Sequence, residues 1–277
     1  MKNIERVMIG HQGWADFFTQ NAIYNHYIDT TDAVTILVID EQRKLMLSKI
    51  FEDRKNVKVI VPIFIEAGQT YFDRQIGKET CVICHTNLGG ITCPREPNRS
   101  CKYINYDFFS NCELVKLNAF KNYTHWESFM SKSNQSFAHT MYEYEDFDPY
   151  LRIKNFKIYR DIRSEESQFS HLLNEEYFLV HDDADRHLCI PEDNFKINLI
   201  RANLNLRSTI MVDLIKIIEN SKEIHLIDSS YSVLIYLLSF SNKKIAAIPK
   251  YLHTLNRTER DIGIYANPCA QNWLLIN

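Results

Sequence analysis

The sequence predicts an α/β protein of two lobes, each an open parallel sheet flanked by helices. Three observations predict it. Apolar, β-rich runs at 4–9, 33–39 and 57–63 alternate with stretches of helical length and mixed polarity at 14–28 and 41–52, which is the β-α-β-α-β rhythm of a parallel sheet. A second alternating series begins after Asp148-Pro149. A length of 277 residues is long for one ordinary core and suits two domains of about 100–150 residues each.

The first strand ends in Val7-Met8-Ile9-Gly10-His11-Gln12-Gly13-Trp14-Ala15-Asp16-Phe17. Gly10 and Gly13 allow a tight strand-to-helix turn, and Asp16 falls about one turn into the helix that follows. Such a turn leaves free backbone N–H groups at the carboxyl edge of a sheet, where anionic ligands bind. Read without a ligand, Asp16 complements the helix dipole, and Trp14, Phe17 and Phe18 belong to the core.

From Glu66 to Cys112 the rhythm breaks. Gly68, Gly77, Gly89, Gly90, Pro94 and Pro97 mark residues 66–112 as an irregular insertion. Within it Cys81, Cys84, Cys93 and Cys101, with His85 beside them, offer four soft thiolates in a short span. They could close around a tetrahedral structural zinc, or remain reduced thiols in a folded insertion. The second pair lacks C-x-x-C spacing, so the zinc-ribbon pattern is incomplete. Four protein ligands would leave no open position, so such a zinc would be structural; separately, a catalytic metal is not expected, since helix N-termini and arginine can neutralise an anionic group.

Helices are predicted at 123–132 and 136–144, and Asp148-Pro149 marks the crossing between a first lobe, 1–147, and a second, 148–277. In the second lobe Ser164-Glu165-Glu166 suits a helix start, with the helix running to Leu173. Strands are expected at 176–181, 187–190, 196–201, 224–227 and 244–248, helices at 210–221 and 230–240, and an apolar Trp273–Ile276 docking on the body. The loop His181-Asp182-Asp183-Ala184-Asp185-Arg186 follows Tyr177–Val180, so His181 and Arg186 could meet a diphosphate. The bland alternative is a charged surface loop. Asp228-Ser229-Ser230 supplies hydroxyls and helix-terminal amides that hold phosphate equally well as they cap the helix. Both lobes read as Rossmann-like.

Composition narrows the function classes. A net charge of −3 gives no basic field for nucleic acid. No apolar run approaches a membrane span, and Met1–Arg6 lacks a signal-peptide core, so the expected location is cytoplasmic. Seven cysteines without an export signal argue against a disulfide framework.

Three segments then carry a resemblance. Phe156-Lys157-Ile158-Tyr159-Arg160-Asp161, Val180-His181-Asp182 and Glu223-Ile224-His225-Leu226-Ile227-Asp228-Ser229-Ser230 resemble the F-x-[IV]-x-R-D, V-H-D and E-I-H-x-[IL]-D-S-S segments of a GT-B-type glycosyltransferase family of bacterial and viral proteins. The early turn departs from it, since Gly13 and Asp16 are separated where the family has Gly and Asp adjacent. The resemblance implies two GT-B-like lobes, an N-terminal one for a hydroxyl acceptor and a C-terminal one for a nucleotide-sugar donor. It assigns Asp16, with His11 in reserve, as general base, and Gly13, His181, Arg186, Asp228, Ser229 and Ser230 to substrate. The alternative is a non-catalytic nucleotide- or glycan-binding protein on the same fold. An oxidoreductase is disfavoured because no complete G-x-G-x-x-G follows the first strand.

Overall fold

The computed structural model describes residues 5–66, 102–104, 106–121, 123–133, 136–172, 174–183, 187–192, 195, 197–202, 210–253 and 273–276. Most of the 66–112 insertion, with Cys81, Cys84, Cys93 and Cys101, lies outside them, as does Arg186.

The chain is mixed α/β with parallel sheets. The first half runs β1 (Glu5–Ile9), α1 (Trp14–Asp29), β2 (Ala33–Leu37), α2 (Glu41–Ile50) and β3 (Val57–Ile60). A short antiparallel pair, β4 (Phe64–Glu66) and β5 (Lys102–Ile104), precedes β6 (Glu113–Lys116). The four-stranded sheet has the order β3-β2-β1-β6, with every pairing parallel. Val7 sits between Thr35 on one side and Leu114 on the other. β1 is therefore central, and its two faces feed different apolar clusters: Met8 packs with Phe17, Phe18 and Ile23, whereas Val7 and Ile9 pack with Leu37, Ile104 and Phe120. Burial on both faces is why the run Val7–Ile9 is continuously apolar and not alternating.

Helices α3 (Tyr123–Lys132), α4 (Phe137–Tyr144), α5 (Leu151–Lys154) and α6 (Ile162–Phe169) lead to the second sheet. Its strands are β7 (Tyr177–His181), β8 (Asn198–Arg201), β9 (Glu223–Ile227), β10 (Lys250–His253) and β11 (Trp273–Ile276), in the parallel order β11-β10-β9-β7-β8. A 3₁₀ turn over Met211–Leu214 opens α7 (Ile215–Asn220), α8 (Ser230–Ser241) follows β9, and α9 (Lys243–Ala247) precedes β10.

Both sheets reverse their strand order once. In the first, the chain winds outward from β1 to β3 and then returns to place β6 on the other side of β1; in the second, it steps from β7 to β8 and returns to place β9 beside β7. Crevices form at such reversals, outside the carboxyl ends of the two strands involved. The turns after β1 and β9 stand at these two places.

One apolar cluster spans both sheets: Phe17, Ala22 and Tyr24 of α1 share it with Val233, Leu234 and Tyr236 of α8. The crossing between the halves is fastened to α1 by polar groups. Asn21 pairs with both backbone groups of Lys157, its Oδ1 accepting the N–H and its Nδ2 donating to the carbonyl, each at 2.9 Å. Asn25 Nδ2 donates to the Asn155 carbonyl at 3.2 Å, and the Tyr159 N–H donates to the Ile50 carbonyl at 2.9 Å. Tyr142 of α4 donates its hydroxyl proton to the Thr19 carbonyl at 2.7 Å.

Three expectations are corrected. Residues 244–248 are not a strand: Asn242 caps α9 by accepting from the Lys244 and Ile245 amides, and Pro249 delays the strand to 250–253. Residues 187–190 are not a strand either, because Asp183 and Leu188 exchange backbone hydrogen bonds at 2.8 Å and His187 adopts φ 57°, closing a turn. α6 starts at Ile162, since Asp161 accepts from the Ser164 N–H at 3.0 Å and so provides the cap assigned to Ser164. The fourth strand of the first sheet, β6, directly follows the irregular segment.

Arg160 ties α6 to α7. Its guanidinium donates to both oxygens of Glu165, at 3.1 and 2.6 Å, and to both of Glu219, at 2.5 and 3.3 Å. Asn242 Nδ2 donates to Glu219 at 2.6 Å. Burial alone would raise the Glu219 carboxyl; the hydrogen bonds from Arg160 and Asn242 outweigh it and hold the group below its ordinary value. Removing one member leaves buried carboxylates without their counter-charge, so Arg160→Met should cost about 3–5 kcal/mol of unfolding free energy. Urea titration measures this, and a loss under about 1 kcal/mol would contradict it.

Asn118 follows β6 in the left-handed region, φ 52°, and is fully buried with neither amide atom hydrogen-bonded among the described residues, although its backbone N–H is held by the Glu145 carboxylate. Glycine removes both the left-handed strain and the unsatisfied amide. Asn118→Gly should therefore leave urea stability equal or higher, whereas a loss above about 1 kcal/mol would show that the amide supports the fold.

Candidate functional site

At the first reversal the turn is built from backbone and amide side chains. A Cβ on Gly10 would lie 2.0 Å from Gln20 Oε1 and 2.9 Å from the Tyr24 hydroxyl oxygen, so only glycine admits this approach. Gln20 uses it to clamp the turn: Oε1 accepts from the His11 N–H at 3.2 Å, and Nε2 donates to the His11 and Asp16 carbonyls at 3.1 Å. Gln12 Nε2 donates to the Gly10 and Leu37 carbonyls and its Oε1 accepts from the Ile39 N–H, so the ends of β1 and β2 are stitched together. Arg43 of α2 donates to the Gln12 carbonyl at 2.6 Å, pairs with Asp40 and lies over the Trp14 ring at 5.2 Å.

The two residues assigned to proton transfer sit here, both buried. Asp16 Oδ2 accepts from the Gly13 N–H at 3.2 Å, so this carboxylate caps its own helix. A Cβ on Gly13 would meet that oxygen at 2.5 Å, so a side chain here would shift the carboxylate from its present place. The His11 ring is walled by Trp126 of α3, centroids 5.4 Å apart, and by Phe137 of α4, at 5.7 Å. The sequence missed Gln12, Gln20 and this aromatic wall, because each closes over a separation that local pattern does not carry.

The second reversal brings together residues that lie far apart in the chain. Ser229 Oγ and His181 Nδ1 are 3.3 Å apart, and the His181 ring lies over Tyr231 with centroids 4.1 Å apart. Burial pushes the Tyr231 phenol up to about 12. Ser232 Oγ accepts from the Ser229 N–H at 3.0 Å and faces the buried Asp228 carboxylate at 3.5 Å, which orders the first turn of α8. Ser230 is the first residue of that helix. Asp182, expected in an exposed loop, is instead buried at the end of β7, where it pairs with Arg201 of β8 and accepts from the Ile190 N–H at 3.1 Å. Arg201 also donates to the Ile190 carbonyl at 3.0 Å, so its guanidinium is fixed at the end of β8. The sequence signal was a lone arginine ending a β-rich run.

On the sheet face beside that edge, His225 of β9 and His253 of β10 contact each other, Nδ1 to Nε2, at 3.0 Å. Glu223 lies 3.2 Å from His225 Nε2, and Tyr251 stacks on the His225 ring at 4.5 Å and 11°.

Helices α1 and α8 thus begin at the carboxyl edges of the two sheets with their first amides pointing toward those edges, a geometry that favours anions. Among the described residues, no group of three or more His, Cys, Asp or Glu is placed to hold a metal ion, and no helix is long and apolar enough to cross a membrane. The four insertion cysteines lie outside those residues.

No family model matches the chain, and no curated protein matches it. Two solved structures are similar in outline. A glycosyl transferase family 9 protein from Veillonella parvula DSM 2008 aligns over 100% of this chain and 87% of its own, at 11% identity and a TM-score of 0.45. The E. coli heptosyltransferase WaaC with ADP aligns over 99% of this chain and 90% of its own, at 12% identity and a TM-score of 0.34. At such values neither likeness decides fold or function, which rest on the chain's own geometry.

Proposed function

We propose that the chain is a glycosyltransferase-like enzyme with two Rossmann-like lobes of GT-B type, 1–147 and 148–277, transferring a sugar from a nucleotide donor to a hydroxyl acceptor. One observation carries the reading: each sheet reverses its order beside a turn that opens a long helix, and those helices, α1 and α8, pack on one another. Two anion-favouring edges fixed to one shared core suit a ligand with a diphosphate and a sugar at opposite ends.

In this reading the second edge takes the donor. The α8 amides, Ser229, Ser230 and Arg186 neutralise the departing diphosphate without a catalytic metal, and His181 on its Tyr231 platform contacts phosphate or sugar. The first edge takes the acceptor, with Gly13 leaving room and Asp16 or His11 receiving its proton. A zinc held by Cys81, Cys84, Cys93 and Cys101 would be structural and would stand apart from the transfer. The cap made by Asp16 favours the second reading, a non-catalytic nucleotide- or glycan-binding protein, because a carboxylate engaged by its own helix start is less free to take a proton.

A thermal-shift panel of UDP, GDP, CMP, ADP and their sugar conjugates tests the donor site. At least one compound should raise the melting temperature by mass action, and His181→Ala should weaken that compound about tenfold while leaving the ligand-free melting temperature within a few degrees. A panel with no shift contradicts the proposal. Asp16→Asn separates the two readings: with the acceptor in hand, turnover should fall about a hundredfold while donor affinity persists. Unchanged turnover removes Asp16 from catalysis.

A further inference from the structure

The Glu223-His225-His253 line on the second sheet has no part in the reading above. It is polar, largely buried and directional. A carboxylate only accepts hydrogen bonds, so Glu223, 3.2 Å from His225 Nε2, places the ring proton on that nitrogen. His225 Nδ1 is then a lone pair. Because it lies 3.0 Å from His253 Nε2, His253 must carry its own proton on Nε2. The consequence passes down the line: His253 Nδ1 is left as an unprotonated acceptor. It has no partner among the described residues, and His253 retains 9% exposure.

The surroundings enforce that state. Tyr251 stacks on His225 while Phe195 meets it edge-on at 4.7 Å, and Phe178 lies at 5.8 Å, so the ring cannot swing away. Burial and the neighbouring His225 hold His253 down at about 4, and burial lowers His225 against the pull of Glu223. Both rings are therefore neutral near pH 7. In the sheet, His253 pairs with Ile227, one residue before the Asp228–Ser230 turn.

We propose that His253 Nδ1 is a pre-set hydrogen-bond acceptor for an uncharged hydroxyl or N–H group of a ligand at the carboxyl edge of the second sheet. The inference rests on the reading that a nucleotide-type ligand occupies that edge. A lone pair repels phosphate oxygens and attracts a hydroxyl proton, so His253 receives the part of the ligand that the α8 amides do not. Glu223 and His225 are positioning residues, which act by fixing the His253 tautomer.

The test uses the full chain with ¹⁵N-labelled histidine and long-range proton–nitrogen correlation, which reads tautomers directly. Without ligand, His225 and His253 should both carry the proton on Nε2. Glu223→Leu should release this order and let both tautomers of each ring appear. Adding UDP, GDP, ADP or CMP at saturation should move the His253 Nδ1 resonance, and His253→Ala should weaken the same compound about tenfold. A response to the bare nucleotide assigns the contact to a nucleoside hydroxyl; a response only to its sugar conjugate assigns it to the sugar. A proton on His253 Nδ1 in the free protein overturns the inference. So does a nucleotide that raises the melting temperature yet leaves His253 unmoved, and in that case the donor-site reading survives. If no compound binds, both fall.

Discussion

Helix α1 has almost no solvent face, and the arrangement of the molecule depends on that constraint. Eleven of its sixteen residues are buried, among them Asp16, Thr19, Gln20, Asn21 and Asn25. Burying polar side chains is costly unless they are hydrogen-bonded, and here most of them hold another part of the chain. Asp16 holds the Gly13 amide, Gln20 the His11 backbone, Asn21 the Lys157 backbone and Asn25 the Asn155 carbonyl. One helix therefore fixes the turn at the first sheet's edge, anchors the crossing to the second half and meets α8 through a common core. The two sheet edges are set relative to each other by packing, not by a loose linker.

The edges differ in chemistry. The first is lined by amides, aromatic rings and the Asp16 carboxylate, with His11 enclosed by Trp126 and Phe137 and Arg43 paired with Asp40. The second has hydroxyls, an imidazole lying over a phenol and the buried Asp182–Arg201 pair, which holds Ile190 against the end of β7. An edge walled by aromatic rings, with the Asp16 carboxylate and the His11 imidazole beside them, suits a polyhydroxylated group, and an edge with helix amides and hydroxyls suits phosphate. That asymmetry supports acceptor and donor assignments to the first and second halves.

Much of the fold was legible because central parallel strands must be apolar on both faces. Val7-Met8-Ile9 announces itself that way, as does Ile224–Ile227 apart from His225, and the glycines and serines after them mark where helices start. The 244–248 stretch misled because Ile245 and Ile248 are as apolar as a strand; only the Asn242 cap and Pro249 distinguish the short helix. β6 was hidden behind the insertion, and its place beside β1 is a pairing across more than a hundred residues. The site was legible where a residue type and a strand end coincide, as at His181 and Ser229. It was not where function depends on a partner from afar: Gln20 under Gly10, Arg201 on Asp182 and His253 against His225 are tertiary facts. The R-D pair of Arg160 and Asp161, read as part of a resemblance to enzymes, turns out to hold α6 and α7 in place.

The central claim is that one ligand engages both sheet edges at once. Hydrogen–deuterium exchange on the full chain, with and without the nucleotide sugar that most raises its melting temperature, tests this directly, because backbone amides that bind a ligand exchange more slowly. The account predicts slowed exchange in two separate peptides, one covering Gly10–Phe17 and one covering Asp228–Val233. Protection at only one of these turns, or on a surface away from both, would contradict it.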